Sequence, residues 1–168
     1  LLLCLGVVPW GTSPCFAGPL EWTFSLVPSA DVSGPAGSTV GWGYQIENLD
    51  PDFWLFPLFL DAGLFQNGTA FSLFDFPILA PNQSVTLPFS AALSQGLYQL
   101  QWDPGAPSGF INSGVFTLTA DFYDGDPLNG GTSLFLESQR EAAYTAEVGD
   151  SAEVPEPAGI AWMAISGL

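Results

Sequence analysis

The sequence predicts an all-β protein, an antiparallel β-sandwich of seven to nine short strands, with one apolar helix at the C-terminal end. Three observations lead there. Apolar and polar residues alternate with a period of two along most of the chain between Leu20 and Val148, the pattern of strands that bury one face. Nineteen Gly and fifteen Pro among 168 residues, about a fifth of the chain, work against long helices. Clusters of Gly, Pro, Asn and Asp interrupt the alternation at short intervals, as the connections of a sandwich do. A chain that is 48% hydrophobic and 14% aromatic, with mean hydropathy +0.32, has the apolar surface for a packed core, which excludes a disordered acidic tail.

The strands follow in order. Leu20, Trp22, Phe24 and Leu26 alternate with Glu21, Thr23 and Ser25, and Ser33-Gly34-Pro35-Ala36-Gly37 then reads as a turn. Val40, Trp42, Tyr44 and Ile46 alternate with Gly41, Gly43, Gln45 and Glu47 until the turn Asn48-Leu49-Asp50-Pro51. Phe53 to Leu60 is apolar throughout apart from Pro57, which predicts a strand buried on both faces with a bulge or an edge at the proline. Gln66-Asn67-Gly68 is a turn, and after Ala80-Pro81-Asn82 the alternation resumes at Val85, Leu87 and Phe89. Tyr98, Leu100 and Trp102 form the next strand, closed by Asp103-Pro104-Gly105. Phe116, Leu118, Ala120 and Phe122 precede the turn Asp124-Gly125-Asp126-Pro127, and Leu134 to Leu136 and Ala143 to Val148 supply the last two strands. Trp22, Trp42, Tyr44 and Trp102 share their faces with aliphatic neighbours and are predicted to be core. No repeat of 20 to 50 residues is visible, so residues 18–148 read as one domain.

The segment from Thr39 to Asn48 enters after Gly37 and leaves through Asn48-Leu49-Asp50. It resembles the second strand of the immunoglobulin-like modules of bacterial surface proteins, a resemblance of pattern that implies a fold and no function.

The two ends read as addresses. Leu1 to Val8 is apolar except for Cys4 and Gly6, and Cys15-Phe16-Ala17 precedes Gly18. That order predicts a secretory signal peptide over residues 1–17, truncated at its front and cleaved between Ala17 and Gly18. Ser13-Pro14 before Cys15 lacks the aliphatic and small residues of a lipidation site. At the other end, residues 149–154 form an acidic linker ahead of Val154-Pro155-Glu156-Pro157, and Ala158 to Leu168 is uncharged. That last stretch is shorter than the roughly 20 residues that cross a bilayer, so it is read as a truncated transmembrane helix. Val154, Pro155, Glu156 and Pro157, followed by an apolar segment on a chain with an export signal, resemble the PEP-CTERM sorting signal of Gram-negative bacteria. The resemblance covers residues 155–168. It implies transient anchoring in the inner membrane, processing by an exosortase-type membrane protease, and delivery to the cell envelope, cell surface or extracellular matrix; the acidity of the chain, for its part, would let divalent cations bridge it to anionic exopolysaccharide as a partner.

Charge and composition narrow the chemistry. One basic residue against 17 acidic ones gives a net charge of −16, which repels phosphate backbones and rules out nucleic acid as a partner. The chain has no His, and its two Cys lie in the first 15 residues, which leaves the body without imidazole or thiolate catalysis and without zinc ligands. No catalytic residue is assigned and no cofactor is required. The densest acidic cluster runs from Asp121 through Asp124, Asp126 and Asn129 to Gly131. Oxygen ligands on a Gly-rich turn suit calcium, although the spacing is not that of an EF-hand. The plainer reading is a hairpin joining Val115–Tyr123 to Thr132–Glu137. Among the aromatics, Trp54 beside the Asn48–Asp52 turn is the candidate for stacking on a sugar ring, which makes a carbohydrate-binding module or glycoside hydrolase the alternative to a non-catalytic surface protein. The two Asn-x-Ser/Thr sites at Asn67 and Asn82 are turn residues first. Arg140, the single cation, is expected to pair with Glu137 or Glu141.

Overall fold

The computed structural model describes residues 20–150. The export signal of residues 1–17, its cleavage between Ala17 and Gly18, the Val154–Pro157 motif and the apolar helix of residues 155–168 lie outside them. Nine strands form two sheets packed face to face: β1 (Trp22–Val27), β2 (Asp31–Pro35), β3 (Thr39–Asn48), β4 (Trp54–Ala62), β5 (Gly68–Ser72), β6 (Ser84–Leu87), β7 (Tyr98–Trp102), β8 (Ile111–Tyr123) and β9 (Ser138–Gly149). One sheet runs β1-β3-β7-β5, with β6 also paired to β3, and the other runs β2-β9-β8-β4. Among the described residues a single 3-10 turn spans Pro127–Asn129, and no helix is long and apolar enough to cross a membrane.

The alternation dictates the core. Trp22, Trp42, Tyr44, Ile46, Leu100 and Trp102 from one sheet meet Leu55, Phe116, Leu118, Phe122, Tyr144 and Val148 from the other, all essentially buried. The aromatic centre is dense. Tyr144 lies 4.4 Å from Phe116 and 5.1 Å from Trp42, centroid to centroid, and the Trp42 and Phe116 rings meet edge to face at 5.3 Å, the offset arrangements that ring quadrupoles favour.

Six expectations are corrected. Residues 33–37 are not wholly a turn, because β2 occupies Asp31–Pro35 and pairs with β9 in parallel, Asp31 opposite Thr145 and Pro35 opposite Gly149. That sheet is therefore mixed rather than antiparallel. The cause is that the first stretch of chain is shared: β1 pairs with β3, and after Pro28 the chain crosses to the facing sheet. β5 follows directly on the Asn67-Gly68 turn, which sequence had read as a turn alone; with only Phe71 as a large apolar residue, its alternation is faint. β4 is an edge strand with the expected irregularity between Pro57 and Phe59, yet Leu58 and Phe59 are exposed, so it is not buried on both faces. β6 stops at Leu87, because Pro88 removes a ladder donor and Phe89 instead covers Gly41. Residues 132–137 form no strand. Ser133 makes an isolated bridge to Tyr123 before Phe135, at φ 54°, breaks the ladder, and β9 resumes at Ser138, opposite Ala120.

Candidate functional site

Three places gather carboxylate or aromatic side chains: the acidic loop, the Trp54 corner and the open side between β4 and β5.

The acidic loop is held by its own carboxylates. Asp121, on β8 and 4% exposed, accepts the amides of Phe122 (2.8 Å) and Leu136 (2.9 Å) and the Ser133 hydroxyl. It thereby ties down the stretch where residues 134–137 leave the ladder. Asp124 accepts the Thr132 amide at 2.7 Å. Asp126 caps the Pro127–Asn129 turn, taking the Leu128 amide at 2.9 Å and the Asn129 side-chain amide at 2.6 Å. Gly131 is required for close approach, since a Cβ there would stand 2.2 Å from the Gly125 carbonyl oxygen. The three aspartates thus face separate donors of the loop, the Asn129 side-chain amide among those of Asp126. Among the described residues no three His, Cys, Asp or Glu side chains gather as a metal ion would need.

At the second place, Trp54 is half-buried and stands opposite Tyr123 in the β4–β8 register. Phe56 meets the Tyr123 ring edge to face at 5.7 Å. The turn beside it rests on two polar residues not singled out in the sequence. Asn48, 1% exposed, donates to the carbonyls of Phe53 (2.8 Å) and Ala80 (3.0 Å) and accepts the Asp50 amide, while Asp50 accepts the amides of Asp52 and Phe53, both at 2.9 Å. The signal was present in Asn-x-Asp-Pro, a run whose side chains bond to backbone two or three residues on.

Arg140 does not pair with Glu137 or Glu141. Its Nε donates to the Trp22 carbonyl at 2.8 Å, one Nη donates to the Gln139 carbonyl at 2.9 Å, and its guanidinium lies 5.2 Å from the centre of the Trp22 ring.

The third place carries a groove of about 350 Å³ lined by Ala62, Gly63, Leu64, Phe65, Gly68, Thr69, Ala70 and Tyr98. Sequence reasoning missed it. Its floor loop is pinned by Asn112, which accepts the Gln66 amide at 2.9 Å and donates to the Gln66 carbonyl at 2.8 Å. Phe65 stacks between Tyr98 and Tyr144, with centroids 5.7 and 5.2 Å away and planes within 19°. Burial, then the nearby Asp61 carboxylate, raises the Tyr98 phenol above its ordinary range, and burial followed by Tyr98 does the same to Tyr144. Both phenols are thus held neutral. The Tyr144 hydroxyl is buried without a hydrogen-bond partner behind Gly63, where a Cβ would come within 3.3 Å of it. The groove thus combines the aliphatic and aromatic side chains of Leu64, Phe65 and Tyr98 with the small residues Gly68, Thr69 and Ala70 of β5.

No protein-family model matches the sequence, and no curated protein matches it. Among solved structures, the chain is similar to the ASH / PapD-like domain of human CEP192 (PapD-like domain 7), with a TM-score of 0.39 and 8% identity over 91% of this chain and 99% of that one.

Proposed function

We propose that this chain is an exported, non-catalytic protein of the cell surface or extracellular matrix, with an immunoglobulin-like body, sorted and processed through Val154, Pro155, Glu156 and Pro157. The observation that carries the reading is the order of parts: an apolar leader, a β-sandwich, and then two prolines flanking one glutamate ahead of an uncharged stretch. Two prolines delete two backbone donors and fix φ, so such a segment is unsuited to a sheet interior and suited to an extended site that a protease reads. The body is consistent with this, since its last strand ends at Gly149, just before the motif. The immunoglobulin-like assignment is supported by strand order, because β1-β3-β7-β5 facing β9-β8-β4 follows the arrangement of a constant-type immunoglobulin sandwich. Acidity keeps such a domain soluble and lets divalent cations bridge it to anionic exopolysaccharide.

The test is made in cells on the complete protein. With Glu156→Ala, or with residues 154–168 deleted, the folded body should persist while its site of accumulation changes and a larger, unprocessed species builds up in the membrane fraction. Unchanged location and size would refute the sorting assignment.

A second reading, a carbohydrate-binding module, draws on the register of Trp54 and Tyr123 with Phe56 against them. It requires that Trp54→Ala abolish the fluorescence change on titration with a soluble polysaccharide.

A further inference from the structure

We infer that the free edge of β5 is a docking site for an extended segment of another protein, one that adds as a further strand with apolar residues in its middle and basic residues at its ends. The inference is independent of the sorting signal.

The backbone of β5 is available along one side. Among the described residues β5 ends its sheet, paired only with β7, from Gly68 opposite Trp102 to Ser72 opposite Tyr98. The ladder is bracketed by the Asp103 amide on the Asn67 carbonyl (2.9 Å) and the Leu73 amide on the Leu97 carbonyl (3.0 Å). Antiparallel bonding alternates along a strand, so residues 67, 69, 71 and 73 bond inward to β7. The amides and carbonyls of Gly68, Ala70 and Ser72 therefore point away from the sheet, and Gly68 and Ala70 line the groove. An unpaired row of this kind is a template for strand addition.

Apolar side chains stand on both sides of that row, with Thr69 beside Phe71. Leu64, 96% exposed, and Phe65 stand across the groove, and Phe71, 48% exposed, lies on the outer face of β5. Single exposed apolar residues are ordinary; here they flank one open edge, where an incoming strand would cover them from either side. The usual defences of an edge are missing, since Gly68–Ser72 holds no charged residue, no Pro and no bulge. β4, the edge across the groove, does carry them, with Pro57, the Pro57–Phe59 irregularity and Asp61.

Charge selects the occupant. The edge is framed by carboxylates: Asp103 beyond Gly68, Asp75 beyond Ser72 and Asp61 across the groove, all exposed. A second copy of this chain would bring a further net charge of −16 and one cation, Arg140, already engaged at Trp22. Like charge therefore opposes self-pairing, and a segment with Lys or Arg at its ends is complementary.

The probe is a synthetic peptide, Lys-Lys-Val-Thr-Val-Thr-Val-Lys-Lys, against the same core with Glu at both ends, added to the body spanning residues 18–153. Saturation with the Lys peptide should slow amide exchange at Gly68, Ala70 and Ser72 at least tenfold, and the Glu peptide should leave it unchanged. Ala70→Pro removes an outward amide at an edge, where proline is tolerated, and should abolish protection of Gly68 and Ser72. Should that variant fail to fold, Asp61→Lys with Asp103→Lys should weaken the Lys peptide at least tenfold. Protection that is absent, that appears at the β1 or β2 edge instead, that survives whichever of these substitutions folds, or that arises on concentration without peptide would overturn the inference.

Discussion

Arg140 sits at the seam between the sheets. Its bond to the Trp22 carbonyl satisfies an acceptor on β1, the first strand of its sheet, and its plane lies against the ring of that same residue, whose indole Nε1 donates at 2.7 Å to Ser138 of β9. Arg140→Ala should therefore lower stability by about 1–3 kcal/mol, the range for a charge-assisted bond together with a cation–π contact, measured by urea unfolding. Arg140→Lys should recover part of that loss, whereas Glu137→Gln and Glu141→Gln should be near neutral. Tyr44 gives a second residue-scale prediction. Burial, together with its hydrogen bond to Asp75, pushes its phenol far above the usual tyrosine range, and Tyr98 and Tyr144 shift the same way. A raised native pKa means that the unfolded chain loses its proton first. The stability is present in full below about pH 10, the unfolded value, and falls as pH rises beyond it. Absorbance at 295 nm should show these three phenols ionising only as the protein unfolds in alkali, and Tyr44→Phe should flatten the alkaline decline while costing about 1 kcal/mol at neutral pH. Ionisation of all three in the still-folded protein would contradict the account.

At the scale of elements, β3 is the strand on which the others are assembled, and two of its glycines permit it. A Cβ on Gly43 would lie 2.4 Å from the Leu87 carbonyl oxygen, and one on Gly41 would lie 2.4 Å from the Phe89 ring. Gly43→Ala must displace backbone rather than a flexible side chain, so it should cost at least about 2 kcal/mol and speed amide exchange along β6 more than along β7. What sequence could convey follows from the same strand. The inward set Val40, Trp42, Tyr44 and Ile46 was legible because burial on one face imposes period two. Burial of Gly41 and Gly43 on the other face was not, because it depends on Pro88 and Phe89, which arrive 45 or more residues further along the chain. β2 and β5 escaped for a related reason: edge strands rich in Gly, Ser and Pro carry little alternation, and their pairing is set by the partner strand. The groove shares that origin, being formed where β5 and the end of β4 leave two edges unjoined. The acidic loop was expected to be a hairpin closing onto residues 132–137, whereas it leads on to β9 at Ser138, and its reach has no local signal: Asp121 bonds to Leu136, fifteen residues on, and no local pattern announces such a pair.

For the molecule as a whole, the dominant electrostatic term is self-repulsion. With 17 acidic residues and one basic, the folded body gathers charge that the unfolded chain spreads out, which favours unfolding at low salt. The chain enters at Trp22, beside Ser138, and leaves at Gly149, beside Pro35, so its ends lie at opposite ends of the sandwich and neither crosses the core. A fragment of residues 18–153 should therefore fold alone, with a β-type circular dichroism spectrum and one cooperative transition. Its melting temperature should rise as NaCl is taken from about 10 mM to about 500 mM, where the screening length falls below about 5 Å. Calcium separates general screening from a site. Asp121, Asp124 and Asp126 already accept the loop's own amides, so a cation would have to displace those bonds before binding the carboxylates together. Calcium and magnesium at matched ionic strength should then raise the melting temperature equally, and Asp124→Ala with Asp126→Ala should shift the baseline without changing that response. A larger rise with calcium, lost in the double variant, would show that the loop rearranges around the ion, because a ligand bound by the native state alone stabilises it in proportion to the logarithm of its concentration.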